Sequence, residues 1–356
     1  MIESNFWQGR KVFLTGHTGF KGSWLSLWLK QLGAVVTGYA LEPPTSPALF
    51  NDAGINHALK KHIHGDIIDG ASLSRAMHNA EPEIVIHMAA QSLLRESYDD
   101  PLATYSTNVI GTVNLFEAIR KTVSVKAVLN ITTDKCYENK EWNWGYREIE
   151  PMGGYDPYSS SKACAELVSS AYRQSFFQHS GVALATARAG NVIGGGDWAT
   201  DRIVPDAMRA FMDKRILFVR NPLAIRPWQH VLEPLAGYLL LCQQLLQAPE
   251  QFSEPWNFGP KDEDAQPVSR LADIMSENWG ASAQWALDKE AHPHEARFLK
   301  LDCSKARTQL KWQPLWDLER ALTESVRWYK AWHNQENMHQ FTLQQINSYQ
   351  EELQSQ

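Results

Sequence analysis

The sequence places Tyr158 and Lys162 four residues apart at the start of a predicted helix. Residues at this spacing share one helix face. A neighbouring ammonium favours the phenolate form of a tyrosine, whose pKa is ordinarily about 10. Such a tyrosine can take a hydroxyl proton while a hydride leaves for a cofactor. The pattern is weak by itself, because eleven tyrosines give a chance match in about every other chain.

Thr133, Asp134 and Lys135 directly follow an apolar stretch, about 25 residues before Tyr158. A threonine hydroxyl can hydrogen-bond a substrate alcohol beside the tyrosine. An acid and a base next to it suggest a second proton transfer. A solvated Asp-Lys turn is the simpler alternative, but the nearby Tyr158 and Lys162 favour a catalytic role.

A glycine-rich segment lies between the apolar run Val12–Leu14 and the helical pattern Ser23–Leu32. Glycines at a strand-to-helix turn let the backbone approach a pyrophosphate, and the helix N-terminus supplies N–H donors. Three glycines can also serve only a tight turn, but the downstream motifs favour phosphate binding. The candidate cofactor-binding residues here are Gly16, His17, Thr18, Gly19, Phe20 and Gly22.

The end of the second predicted strand lacks the acidic residue that commonly holds the ribose of NAD, about 20 residues beyond the glycines. Glu42 lies slightly farther along. The stretch 38–42 also has no arginine or lysine to receive a 2′-phosphate, so NAD is favoured over NADP.

Five apolar or β-branched runs alternate with helical stretches such as 108–120, a pattern typical of a parallel sheet with crossover helices. We predict an α/β protein with a Rossmann-type doubly wound parallel sheet and a smaller, discontinuous C-terminal substrate-binding lobe. The predicted strands are Val12–Leu14, Val35–Thr37, Ile84–Ile86, Val125–Ile131 and Val182–Ala187.

Glycine and proline become frequent after Arg188, which marks a boundary. We assign 1–188 to the NAD-binding domain, with a return to it around 227–260. The substrate lobe takes 189–226 and 261–333. Residues 334–356 form a polar C-terminal helix or tail, which we expect to be loosely docked because its apolar stripe is narrow.

The composition is ordinary for a globular protein, with 44% apolar and 21% charged residues and a net charge of −6. It favours neither nucleic-acid binding nor membrane insertion. Four scattered cysteines and the absence of a signal-peptide pattern predict a cytoplasmic protein. Twelve histidines form no metal-ligand grouping, so no metal is predicted. Fourteen tryptophans are unusual.

These motifs resemble the nucleotide-sugar 4,6-dehydratases, extended members of the short-chain dehydrogenase/reductase family, from about Trp7 to Trp328. In carrying Asp134-Lys135, the chain is similar to the members of this family that act on CDP-D-glucose. The dTDP-glucose relatives carry Asp-Glu at these two positions. The resemblance rests on residues 16–22, 133–137, 158–162, 188–198 and 226–231.

The resemblance implies NAD as cofactor, CDP-D-glucose as substrate and a role in deoxysugar biosynthesis of the O-antigen type. C4 is oxidised, water is eliminated across C5 and C6, and hydride returns to C6. Asp134 is then the acid, and Lys135 inherits the C5-base position. The implied site residues are Thr133, Asp134, Lys135, Tyr158 and Lys162 for catalysis; Asp66, Ile67, Ala89, Ala90, Tyr158 and Lys162 for the cofactor; and Asn191, Arg202, Arg226 and Arg297 for the substrate.

The resemblance further implies a homodimer or a dimer of dimers, paired through the helix of Tyr158 and the helix at 108–120. Three alternatives stay open. A GDP-mannose 4,6-dehydratase has related chemistry. A 4-epimerase is disfavoured by Asp134-Lys135. A non-catalytic NAD-binding redox sensor is disfavoured because Thr133, Tyr158 and Lys162 occur together.

Overall fold

A computed structural model describes residues 1–289 and 298–355. The strands are β1 (Lys11–Thr15), β2 (Val35–Ala40), β3 (Lys61–His64), β4 (Ile84–His87), β5 (Ala127–Ile131), β6 (Ala183–Ala189), β7 (Asn191–Ile193), β8 (Leu217–Val219), β9 (Ile225–His230), β10 (Pro255–Phe258), β11 (Ala265–Pro267) and β12 (Trp285–Leu287). The helices are α1 (Ser4–Trp7), α2 (Phe20–Gln31), α3 (Leu49–Asp52), α4 (Gly70–Ala80), α5 (Leu94–Asp99), α6 (Pro101–Tyr105), α7 (Gly111–Arg120), α8 (Pro157–Tyr172), α9 (Gln178–Ser180), α10 (Ile203–Met212), α11 (Leu232–Gln247), α12 (Pro249–Phe252), α13 (Val268–Trp279), α14 (Leu318–His333) and α15 (Met338–Gln354).

The main sheet has seven parallel strands in the order β10-β6-β5-β4-β1-β2-β3. The predicted fold class is confirmed, and each of the five predicted strands is present. The strand order reverses between β1 and β4, and ligands of such sheets bind at the carboxyl ends beside that reversal. Sequence reasoning missed β3, whose four residues Lys-His-Ile-His carry no apolar pattern, and β10, which is only four residues long.

Successive side chains of β1 point to opposite faces of this sheet, and each face packs into a hydrophobic core of its own. Val12 and Leu14 pack with α2 and α11 on one side, and Phe13 packs with α4 and α7 on the other. Helix α2 begins at Phe20, three residues before the predicted start, because Gly19 already serves as its N-cap. The cofactor loop is therefore shorter than the glycine spacing suggested, and it leads directly into a helix N-terminus.

Two small sheets lie beside the main one. The first has the order β11-β9-β7, with β7 parallel and β11 antiparallel to β9. The second pairs β12 with β8 in parallel. These strands fall within the residues predicted as the substrate lobe, apart from most of β9, and the division into two domains remains a prediction.

The expectation that the C-terminal helix docks loosely was wrong. Tyr349 of α15 is fully buried, and its hydroxyl donates to Glu233 at 2.7 Å. Thr342 and Gln345 are buried too, and they bond to Trp328 and Glu324. The polar residues that made this segment look like a tail are partners for buried groups of α14.

Many of the fourteen tryptophans lie in the hydrophobic core. Six tryptophans are fully buried, and each indole N–H has a hydrogen-bond acceptor, which removes the usual cost of burying this side chain. These residues are Trp7, Trp24, Trp28, Trp256, Trp312 and Trp328.

No helix in the described ranges has the length and apolar character needed to cross a bilayer. Across residues 1–289 and 298–355, no group of three or more His, Cys, Asp or Glu side chains is placed to hold a metal ion.

Candidate active site

The catalytic candidates lie where β5 ends and α8 begins. Thr133 and Asp134 leave β5 through a single 3-10 turn, in which Lys135 N donates to Thr133 Oγ1 at 3.4 Å. Helix α8 begins with Pro157, and its N-cap Asp156 accepts from Ser159 N at 2.8 Å. This capping fixes the first turn, which carries Tyr158.

Thr133, Tyr158 and Asp134 form a short hydrogen-bonded chain. Tyr158 shares a hydrogen bond with the Thr133 hydroxyl, and Thr133 Oγ1 donates to Asp134 Oδ1 at 3.1 Å. Asp134 is fully buried, and its Oδ2 atom has no hydrogen-bond partner within the described residues. A buried, unpaired carboxylate oxygen is costly unless a ligand engages it.

Lys162 lies one helical turn after Tyr158 and is also buried. Its Nζ donates to the Ile131 carbonyl at 3.1 Å, so the end of β5 orients it. Burial lowers the pKa of Lys162 to about 8, against the opposing charge of Glu166. Burial also raises the pKa of Tyr158 to about 12, while the Thr133 hydrogen bond lowers it. Added positive charge is therefore needed before Tyr158 can act as a base.

Lys135 differs from Lys162 in its surroundings. Its Nζ lies 3.7 Å from Asp134 Oδ1, and 32% of its side chain is exposed. The predicted acid and base are thus paired with one another at the edge of the site.

A buried ion pair beneath the catalytic residues was missed by sequence reasoning. Glu166 of α8 and Arg188 of β6 meet at 2.8 Å, and each side chain is 3% exposed. Glu166 also accepts from Thr132, next to Thr133, and from Thr186. Burial acts to raise the pKa of Glu166, but the Arg188 guanidinium and these hydrogen bonds hold it below its ordinary value. The ion pair joins α8 to β6, and the Thr132 hydrogen bond joins α8 to the end of β5.

Replacing Glu166 by Ala should lower the free energy of unfolding by about 3–5 kcal/mol, since Arg188 is left buried without its counter-charge. Urea unfolding of the purified protein measures this. The matched control is Asp213→Ala, which removes an exposed pair with Arg215 and should cost no more than about 1 kcal/mol. Equal losses in the two variants would contradict a structural role for the Glu166–Arg188 pair.

The glycine loop has the shape of an anion site. A Cβ on Gly16, whose φ is +74°, would lie 2.6 Å from Ala89 N, and one on Gly22 would lie 2.2 Å from Gly16 O. Glycine is therefore required at both positions. No side chain caps the N-terminus of the twelve-residue helix α2, so its first N–H groups stay available for a phosphate.

The remaining cofactor candidates are placed differently from one another. His17 is fully buried beneath the loop, where it packs on Phe50 and shares a hydrogen bond with His62 at 2.6 Å. We expect His17 to support the conformation of the glycine loop. Thr18 Oγ1 donates to the Leu41 carbonyl at 2.9 Å.

Farther along the predicted cofactor path, Asp66 Oδ1 accepts from Ile68 N at 2.9 Å in a local turn, next to the buried Ile67. Ala89 and Ala90 follow β4, and Ala89 N donates to Thr15 Oγ1 at 3.2 Å. The carboxylate of Glu42 is mostly exposed and lies 3.9 Å from His64 Nε2.

The substrate candidates fall into two groups. Arg202 lies close enough to Tyr158 for their charges to interact, and its guanidinium is held by Asp197 at 2.9 Å. Asn191 and Arg226 lie on the neighbouring strands β7 and β9. Asn191 Oδ1 is buried and lacks a partner among the described residues, as a ligand-facing amide would. Arg297 lies outside the described residues.

A third lysine of the site was not assigned a role from the sequence. Lys21, in the first turn of α2, donates from Nζ to Tyr238 Oη at 3.0 Å. Its charge interacts with Lys162, Arg202 and Asp134. The site therefore combines a tyrosine, a free carboxylate oxygen and an excess of positive charge, which suits proton transfer on an anionic substrate.

A sequence model of the family described as GDP-mannose 4,6 dehydratase matches residues 13–325. The chain is 57% identical over 355 residues to the CDP-glucose 4,6-dehydratase of Salmonella typhimurium (strain LT2), covering 98% of each chain.

Two solved structures share the fold at low sequence identity. One is an epimerase from Methanothermobacter thermautotrophicus, with a TM-score of 0.81 and 20% identity, covering 94% of this chain and 97% of that one. The other is the dTDP-glucose 4,6-dehydratase of Bacillus anthracis str. Ames in complex with NAD. It has a TM-score of 0.75 and 20% identity, covering 92% of this chain and 99% of that one.

Proposed function

The chain belongs to the GDP-mannose 4,6-dehydratase family, and from this premise we propose the reaction it performs. It is an NAD-dependent nucleotide-sugar 4,6-dehydratase, a hydro-lyase, that converts CDP-D-glucose to CDP-4-dehydro-6-deoxy-D-glucose. One observation carries the chemistry: the chain of Tyr158, Thr133 and Asp134, which ends in a buried carboxylate oxygen with no partner in the described residues. The family resemblance drawn from the motifs is confirmed.

NAD fits the residues at the carboxyl ends of β1 and β4. The uncapped N-terminus of α2 offers N–H groups to the diphosphate, and the lack of side chains at Gly16 and Gly22 keeps the loop compact. We propose that Asp66, Ile67, Ala89 and Ala90 line the path of the rest of the cofactor. When bound, NAD would supply the hydride acceptor for C4 and the hydride donor for C6.

Tyr158 removes the proton of the C4 hydroxyl. Its raised pKa means that nearby positive charge is required, and Arg202 supplies part of that charge. We propose that Lys162, one helical turn after Tyr158, adds to it. The Thr133 hydroxyl orients the Tyr158 hydroxyl, and it donates its own hydrogen bond to Asp134. The resulting 4-ketone acidifies the hydrogen at C5.

Elimination then needs an acid at C6 and a base at C5. Asp134 Oδ2 is the buried oxygen available to protonate the leaving C6 hydroxyl. Lys135 occupies the position of the C5 base in the related dehydratases, and it lies next to the acid, Asp134. We place Thr133, Asp134, Lys135, Tyr158 and Lys162 in the catalytic site on this basis.

The nucleotide diphosphate is proposed to lie in the lobe formed by 189–226 and 261–333. Asn191 and Arg226 lie on adjacent strands there, and the unpaired Asn191 Oδ1 supports a ligand contact. Arg202 belongs to the same lobe and interacts electrostatically with Tyr158. Arg297 stays a candidate from the sequence alone.

The substrate assignment is tested by incubating the purified protein and NAD with CDP-, dTDP-, UDP-, GDP- and ADP-linked hexoses. CDP-glucose should give the 4-keto-6-deoxy product at the highest kcat/KM. A higher kcat/KM with GDP-mannose than with CDP-glucose would support a GDP-mannose 4,6-dehydratase instead. Inversion at C4 without loss of water would support a 4-epimerase. Binding of NAD without product from any sugar would support a redox sensor.

We further propose a homodimer that pairs the helices at Tyr158 and at 108–120. Exposed apolar side chains lie along these helices and the adjoining α6, with Leu102 77% and Leu167 59% exposed. Large exposed apolar side chains in one region of the surface are typical of an interface. Tyr172, by contrast, is used within the chain, since its hydroxyl donates to Glu117 at 2.8 Å. A dimer of dimers would need a second surface.

The double variant Leu102→Glu and Leu167→Glu should shift the protein from dimer to monomer in size-exclusion chromatography with light scattering, because it buries two unpaired charges at the interface. Leu223→Glu is the matched control, since Leu223 is 80% exposed in the loop before β9. A monomeric wild-type protein, or an unchanged dimer in the double variant, would contradict this interface.

We propose a reducing compartment, the cytoplasm, as the location. All four cysteines carry free thiols, and Cys136, Cys242 and Cys303 are buried. The proposed product is a 4-keto-6-deoxyhexose still attached to its nucleotide, and such a product serves deoxysugar biosynthesis of the O-antigen type.

A further inference from the structure

The short turn that carries the proposed acid and C5 base is held differently at its two ends. Before the turn, Thr132 N donates to the Ala187 carbonyl of β6 at 2.9 Å, so the chain is still bonded to the main sheet there. The chain then leaves the sheet through the 3-10 turn Asp134–Cys136, here called the acid-base turn. The position of Asp134 and Lys135 therefore depends also on what fixes the residues directly after this turn.

Tyr137 is the residue that follows the acid-base turn. Its two neighbours are bonded through their backbones to the segment that precedes α8. Glu138 N donates to the Pro151 carbonyl at 2.9 Å, and the Cys136 carbonyl accepts from Gly153 N at 2.8 Å. The side chain of Tyr137 is fully buried, with 1% exposed. The far end of the acid-base turn is thus anchored at Tyr137.

The hydroxyl of Tyr137 has two buried partners in the main sheet. It accepts from Arg188 Nη1 at 2.7 Å and donates to Asn257 Oδ1 at 2.7 Å. Arg188 of β6 and Asn257 of β10 lie directly opposite one another in the sheet. Burial raises the pKa of Tyr137 well above its ordinary value, against the charge of Arg188, so the hydroxyl keeps its proton. A donor on one side and an acceptor on the other therefore fix both the position and the direction of this O–H group.

Arg188 also connects Tyr137 to the helix that carries Tyr158. Its second terminal nitrogen, Nη2, donates to Glu166 Oε2 of α8 at 2.8 Å. A guanidinium is planar and rigid, so it fixes the spacing between the two groups that it bonds. One buried side chain thereby sets the position of the residue after the acid-base turn relative to α8.

We propose that Tyr137 is a positioning residue for the elimination step. Its hydroxyl, held between Arg188 and Asn257, keeps the acid-base turn where Asp134 and Lys135 reach C6 and C5 of the sugar that Tyr158 has helped to oxidise at C4. Tyr137 itself transfers no proton. This inference rests on the proposed dehydratase function.

C4 oxidation should depend less on Tyr137 than elimination does. Tyr158 is fixed by the N-cap of α8, through the bond from Ser159 N to Asp156. Thr133 directly follows Thr132, which is bonded to the sheet and to Glu166. The acid-base turn lies beyond these anchors. Since a misplacement of about 1 Å can slow a reaction by about 10²-fold, loss of the Tyr137 hydroxyl should slow elimination selectively.

The test uses Tyr137→Phe, which removes one oxygen atom. The ring stays stacked on Tyr146, with 5.2 Å between centres, and Arg188 Nη1 keeps the Glu148 carbonyl at 3.1 Å. The enzyme with bound NAD is mixed with CDP-glucose, absorbance follows the reduced cofactor, and mass spectrometry after a rapid quench follows the product. Reduced cofactor should form at the wild-type rate but persist, and kcat should fall by about 10–10²-fold with KM unchanged.

Tyr349→Phe is the matched control. Tyr349 of α15 is also fully buried, and its hydroxyl donates to buried Glu233 at 2.7 Å. This variant loses the same kind of bond far along the chain from the acid-base turn. It should lower the melting temperature much as Tyr137→Phe does, but it should turn over normally, without persistent reduced cofactor.

A second variant tests the anchor itself. Arg188→Lys keeps a positive charge for Glu166 but offers one nitrogen where arginine offers two to its partners. The reduced cofactor should persist in this variant as it does in Tyr137→Phe. Normal turnover of Arg188→Lys would overturn the proposed anchoring.

Wild-type kcat in Tyr137→Phe would overturn the proposal. Equal slowing of cofactor reduction and elimination would overturn it too, because the hydroxyl would then support the site as a whole. So would a Tyr137→Phe protein that does not fold, since the hydroxyl would then serve the fold, and so would persistent reduced cofactor in Tyr349→Phe. Failure of the wild type to act on CDP-glucose would instead refute the proposed function, and the two failures are distinguishable.

Discussion

Replacing Tyr158 by Phe should abolish formation of the 4-ketone and lower kcat by about 10²–10⁴-fold. The ring and its packing stay, but the variant loses the hydroxyl that bonds to Thr133 and that we propose takes the C4 proton. Because C4 oxidation starts the cycle, no reduced cofactor should appear when substrate is mixed with the enzyme. Stopped-flow absorbance of the reduced nicotinamide measures this directly.

Tyr155→Phe is the matched control. Tyr155 lies three residues earlier and is 87% exposed, so this variant should keep wild-type activity. Reduced cofactor in Tyr158→Phe at the wild-type rate would show that another group takes the C4 proton.

Replacing Asp134 by Asn should separate the two halves of the reaction. The amide oxygen can still accept the Thr133 hydrogen bond, so the site should stay assembled. An amide cannot protonate the leaving C6 hydroxyl, so elimination should slow by about 10²–10⁴-fold. Reduced cofactor and the 4-keto-hexose that still carries its C6 oxygen should accumulate on the enzyme, as followed by absorbance and by mass spectrometry after a rapid quench.

Glu138→Gln provides the control for this change. Glu138 follows four residues later and forms an exposed pair with Lys140 at 3.8 Å. Normal turnover is expected there. If Asp134→Asn lost C4 oxidation and elimination equally, Asp134 would be acting in the first step, and its assignment as the C6 acid would be wrong.

The main fold and the residues proposed for C4 oxidation could be predicted from the sequence, because both predictions depend on local patterns. The strands β1, β2, β4, β5 and β6 have continuous apolar runs, and helical spacing puts Tyr158 and Lys162 on one face. The end of β5 brings Thr133 beside them, since the residues that follow neighbouring parallel strands meet at one edge of a sheet.

What sequence reasoning missed depends on contacts between distant segments. Lys21 resembles a surface lysine until Tyr238 of α11 is placed over it. Glu166 and Arg188 are ordinary charges until the packing of α8 on β6 buries both. Gln345 and Thr342 made the last helix look like a solvated tail, although each satisfies a buried group of α14. A charged residue inside an otherwise apolar or glycine-rich motif was the available signal for Lys21.

The central claim is that one hydride leaves C4 and returns to C6 of the same sugar within one active site. CDP-glucose carrying deuterium at C4 tests it most directly, with the product analysed by NMR. The account predicts that the deuterium reappears at C6 of the 4-keto-6-deoxy product without dilution, even in the presence of excess unlabelled NADH. Unlabelled product, with the deuterium released into the free cofactor pool or into water, would contradict it.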